Sequence, residues 1–109
     1  MQFNDSDRLK TRLLAINLRL AELDHEMRQT QIRVNLLESE LENARLAAMM
    51  GENAGDPAQI GPELERSRGS LETQQAFLKQ VKDSRLEVQK AWARARMAER
   101  AAHLQAPDS

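Results

Sequence analysis

The sequence predicts an all-α protein: a long antiparallel helical hairpin, or two-helix coiled coil, completed to a four-helix bundle by self-association. Three observations predict it. The 109 residues are dominated by Ala, Leu, Glu, Arg and Gln, with two Phe, one Trp and no Tyr, which favours helix over strand. Two long stretches each place apolar residues at alternating steps of four and three. Between them, residues 51–62 hold three of the four glycines and two of the three prolines. A single helical-hairpin domain over 1–109 follows, with helix over about 5–50, loop over about 51–61 and helix over about 62–104.

The first stretch runs Leu9, Leu13, Ile16, Leu20, Leu23, Met27, Thr30, Val34, Leu37, Leu41, Ala44 and Ala48. Only Thr30 is polar. A period of about 3.5 residues held for this long marks a coiled-coil seam, a narrow stripe kept against one partner helix. Asn4, Asp5 and Ser6 are all suitable N-caps, and the aspartates suit the positive end of the helix dipole. Gly51 stops this helix near Met50. Asp56-Pro57-Ala58-Gln59 can form one capped turn inside the loop, and Pro62 suits the first position of the second helix.

The second stretch runs Leu64, Ser67, Leu71, Gln74, Leu78, Val81, Arg85, Val88, Trp92, Ala95, Glu99 and Ala102. Four polar entries weaken it. Pro107 and the polar residues after it stop the helix near Leu104. Opposing the two series in reverse order pairs Leu9 with Ala102, Leu13 with Glu99, Leu20 with Trp92, Met27 with Arg85, Thr30 with Val81 and Ala48 with Leu64. This register expects a polar break at Met27 and Thr30, and makes Trp92 one of the most costly side chains to truncate.

Several chemistries are excluded. Without cysteine there are no disulfides, thiolate metal sites or cysteine nucleophiles. Glu22-x-x-His25 has the spacing of one half of a di-iron helix site, but such a site needs a second pair and further inward carboxylates. Both residues lie off the seam, and His103 with Glu99 is read in the same way. Gly51-x-x-x-Gly55 is a loop, because Glu52 and Asn53 lie inside it. No catalytic motif occurs, and no cofactor, metal or small-molecule substrate is expected. No apolar run approaches the roughly 18 residues of a membrane span. The amino terminus has no apolar run of the secretory kind, so a cytoplasmic location is expected.

Charge is unevenly distributed although the total is only −1. Residues 1–20 and 79–104 are basic, through Arg8, Lys10, Arg12, Arg19, Lys90, Arg94, Arg96 and Arg100, whereas 21–78 carry five basic and eleven acidic groups. The basic end suits an acidic protein surface, or the acidic half of another copy. Nucleic acid is the weaker candidate, since Trp92 is the only aromatic neighbour of those cations and no recognition module is present. A second apolar stripe is the most informative surface feature. It comprises Leu14, Leu18, Ile32, Leu36 and Leu46 on the first helix, with Phe77, Leu86 and Met97 off the central line of the second.

These features predict a non-enzymatic structural or adaptor protein that acts as a homodimer or with a helical protein partner. The alternative is a coiled-coil stalk or chaperone-like regulatory subunit of a secretion or rotary ATPase, an analogy drawn from architecture alone.

Overall fold

A computed structural model describes residues 4–53 and 55–105. It contains two helices, α1 (Asp5–Met49) and α2 (Pro57–Gln105), and no strand among the described residues. The protein is an all-α helical hairpin. Its residues fall into two compact units, Met1–Glu22 with Lys79–Ser109, and Leu23–Leu78. The stop expected from Pro107 lies outside the described residues.

Of the three candidate caps, Asn4 is the one used. Its side-chain Oδ1 accepts the Asp7 N–H at 2.8 Å, and its carbonyl accepts the Arg8 N–H at 3.2 Å. The next free amide is satisfied from the other helix. Glu99 Oε1 accepts the Ser6 N–H at 3.2 Å and Glu99 Oε2 lies 2.8 Å from Ser6 Oγ. Ser6 Oγ also lies 3.0 Å from Asn4 Oδ1. A hydroxyl has one proton to give, and the shorter contact to a charged acceptor is the stronger. Ser6 is consequently buried, at 3% exposure.

The helix α1 ends where glycine allows it. Gly51 has a φ of +73°. The Glu52 N–H reaches the Ala47 carbonyl at 2.7 Å and the Gly51 N–H reaches the Ala48 carbonyl at 3.2 Å, the two bonds of a Schellman cap. Asp56 then caps α2 by accepting the Ala58 N–H at 3.0 Å, with Pro57 at the first helical position. The turn expected inside the loop is therefore the start of α2, which begins at Pro57 and not at Pro62. Pro62 lies within the helix, and Gly61 before it has no Cβ to meet the proline ring. Ile60, brought into the helix by this earlier start, packs on the core of its unit.

In the second unit that core is Val34, Leu37, Leu41 and Leu64, with Leu23 and Ala44 also buried. The first unit buries Leu20 and Val88 but leaves Leu9, Leu13, Ile16 and Trp92 half-buried. In α1 the expected seam is buried or half-buried at every position except the last, where Ala47 is buried and Ala48 exposed. In α2 the expected series is likewise at least half-buried from Leu64 to Glu99, including Leu71, Leu78 and Val81, whereas Ala102 is exposed.

The pairing of the two series differs from the expected one by a single heptad. In the first unit the Ser6–Glu99 contact fixes the register. Stepping along both seams from it sets Leu9 across from Ala95, Leu13 from Trp92, Ile16 from Val88 and Leu20 from Arg85. In the second unit Arg68 bonds Glu38 at 3.0 Å, and a side chain at Gly55 would lie 3.5 Å from Ile60 Cδ1 and 3.8 Å from Ala44 Cβ. The same stepping sets Leu41 across from Leu64, Leu37 from Ser67, Thr30 from Gln74 and Met27 from Leu78. The polar layer is thus Thr30 with Gln74, not Met27 with Arg85. Trp92 lies in the layer of Leu13, not that of Leu20, and Leu23, at 2% exposure, is the large side chain most completely buried.

Two outcomes test this register. Glu99→Ala leaves the Ser6 N–H without its acceptor in a buried position and should lower stability by about 1 to 2 kcal/mol in chemical denaturation. Gln74 Oε1 is buried without a hydrogen-bond partner, so Gln74→Leu should raise stability by about 1 kcal/mol and increase the melting temperature.

Candidate functional site

On each helix the polar surface is interrupted by apolar side chains that the seam does not use. Numbering the heptad so that Leu13 and Leu20 hold position a, the row at position f lies directly opposite the seam. On α1 that row reads Thr11, Leu18, His25, Ile32, Ser39 and Leu46, with Leu14 and Leu36 on its two flanks. Leu14, Leu18, Ile32 and Leu36 are each between 57% and 68% exposed. Isolated exposed leucines are ordinary, but large apolar side chains repeating along one face are not.

The residues singled out on α2 do not form a row of this kind. Phe77, Leu86 and Met97 occupy three different heptad positions. Met97 is fully on the surface and Phe77 is the least exposed of the three. Met49, Met50 and Leu104 are each more exposed than any of these three. The sequence reading passed over them because they lie at helix ends, where periodicity gives no signal.

In the first unit, Trp92, Ala93, Arg96, Met97, Arg100 and His103 line an open groove of about 470 Å³. Successive turns of α2 place them on one side of the helix. The Arg96 guanidinium lies 5.7 Å from the centre of the Trp92 ring, within cation–π range. Lys10, Arg12, Arg94 and Arg100 have no ion pair among the described residues, while Arg8 pairs with Asp5 and Lys90 with Glu87. By sequence this unit carries eleven basic and seven acidic side chains. The structure thus gathers Arg96 and Arg100, together with Glu99, in one groove with an indole.

The second unit carries five basic and ten acidic side chains. Three of its five arginines pair with carboxylates, and the other two, Arg45 and Arg66, line grooves that contain them. Arg33 bonds Glu63, Arg68 bonds both Glu38 and Glu65, and Arg28 bonds Asp24. The Arg68 guanidinium is held above its usual pKa, first by its hydrogen bond to Glu38 against a smaller opposing effect of desolvation, with Glu65 adding to the rise. These pairs are exposed and contribute little to stability individually. Glu22 bonds Arg19 at 3.2 Å, and His25 is exposed. No group of three or more metal-ligating side chains capable of holding an ion occurs among the described residues. No helix is long and apolar enough to cross a membrane, among the same residues.

No protein-family model, curated protein or solved structure matches the chain.

The groove at Trp92 yields a direct expectation. Iodide is drawn to cations, so it should quench the single tryptophan strongly, and Arg96→Gln should lower the iodide quenching constant by roughly a factor of two at low ionic strength. Quenching by uncharged acrylamide should not fall. Equal losses with both quenchers would show that the change altered access to the ring and not the local charge.

Proposed function

We propose that this protein is a non-enzymatic structural or adaptor coiled coil that works by binding other protein chains, a second copy of itself first among them. The observation that carries the reading is the outward apolar row of α1. A pair of helices removes one stripe of each helix from water and leaves the rest wet, so its stability is marginal for the residues it orders. Packing Leu14, Leu18, Ile32 and Leu36 against another helix supplies further apolar burial, which a four-helix bundle does. The grooves along the helices are open to solvent, which suits side-chain docking better than chemistry requiring a dry pocket.

The excess of basic side chains in the first unit supports a second reading, in which the Trp92 groove docks on an acidic protein surface, as a stalk or chaperone-like subunit does. Loss of partner binding on charge reversal at Arg96 and Arg100, with self-association intact, would favour it.

Sedimentation equilibrium tests the first reading. The chain mass is 12.4 kDa, so the homodimer is expected at twice that value at micromolar concentration. Leu18→Glu combined with Ile32→Glu should return it to the monomer with reduced helicity, because each buries an unpaired charge at the interface and leaves the intrachain seam untouched. A double variant that keeps the mass, helicity and melting temperature of the parent would sink the reading.

A further inference from the structure

The face of α1 opposite the seam has a symmetry that determines how a second copy fits. We propose that α1 is self-complementary: a second copy of this chain packs antiparallel along its outward row, with the twofold axis passing beside His25. The inference rests on the proposed self-association and adds its orientation and register.

The argument starts from spacing. Leu18 lies seven residues before His25 and Ile32 seven after it; Leu14 lies eleven before and Leu36 eleven after. Reversing the helix about His25 therefore lays Leu18 on Ile32 of the second copy and Leu14 on its Leu36. Ala21 and Gln29, both exposed, fill the intermediate steps on opposite sides of the axis. An isologous interface requires this reciprocity, in which residue i meets j and j meets i.

Charge supports the same axis. At positions b and c, which flank the row, the reversal sets Glu22 against Arg28 and Arg8 against Glu42. Positions e and g are turned toward the intrachain seam and count for less: there Lys10 meets Glu40, Arg12 meets Glu38 and Asp5 meets Arg45, while Asp24 meets Glu26, the one pair of like sign. Two competing arrangements fare worse. Parallel packing in register sets every charge against its own copy. An antiparallel axis at Ile32 also matches Leu18 with Leu46, but in the flanking positions it sets Glu22 on Glu42, where the axis at His25 gives each of them an arginine. Like charges directly opposed exclude a partner arrangement more effectively than apolar contact selects one.

The protein has no cysteine, so an introduced thiol is unique. Three exposed positions of the same row, Thr11, His25 and Ser39, report on the axis. His25→Cys alone should crosslink to a dimer with a short bismaleimide. Ser39→Cys alone should not, whereas an equimolar mixture of Thr11→Cys and Ser39→Cys should, at least about tenfold faster than either variant by itself. Crosslinking of Ser39→Cys alone would overturn the antiparallel orientation. Crosslinking of Ile32→Cys in place of His25→Cys would overturn the position of the axis. Both results leave self-association standing. A His25→Cys chain that neither crosslinks nor sediments above 12.4 kDa overturns the dimer itself.

Discussion

The register of this hairpin depends on a carboxylate that one helix lends to the other. A seam of constant period is nearly indifferent to sliding by seven residues, since each layer exchanges one apolar neighbour for another of the same kind. Directional contacts remove that freedom. Glu99 satisfies the Ser6 amide in the first turn of α1, where backbone donors have no intrahelical partner and the helix dipole favours negative charge. At the other end, the Schellman cap at Gly51 and the Asp56 cap leave few residues between the helices. Both sets of contacts are compatible with a single register.

That register distributes the apolar burial unequally. The second unit has a contiguous cluster at Val34, Leu37, Leu41 and Leu64. The first buries Leu20 and Val88 while Leu9, Leu13, Ile16 and Trp92 stay half-wet: Leu9 faces only Ala95, and Trp92 is too large to be covered by Leu13 alone. The unit with the weaker core is also the one with an excess of basic side chains. A surface that is not needed to hold two helices together is free to be specialised for contact with a third.

The heptad phase of both helices was legible in the sequence, because the phase is a property of each helix alone and buried positions repeat whatever the partner. The end of α1 was legible as well, since Gly51 is required by a backbone conformation. The pairing of the helices was not. It depended on whether Pro57 or Pro62 starts α2, and both satisfy the rule for a first-turn proline; Ile60 decides the matter by packing on a core that is visible only after folding. Extending the α1 series one step back from Leu9 reaches Ser6, a signal that was present but is easily passed over in a polar residue. The outward row of α1 was read correctly as exposed apolar side chains, whereas Phe77, Leu86 and Met97 share no face, so the α2 part of the expected interface is a scatter of individual positions.

The separation of contacts along the chain has a kinetic consequence. Ile60, next to the short connection, packs on the core of Val34, Leu37, Leu41 and Leu64, whereas Ser6 and Glu99 are 93 residues apart. Closing a short loop costs less chain entropy than closing a long one, so pairing that begins at the connection and advances layer by layer meets only small increments in that cost. The contact that fixes the register is then the last to form. Until it does, a chain that has started one heptad out of step has no bond holding it there, and it can slip back before the helix termini lock.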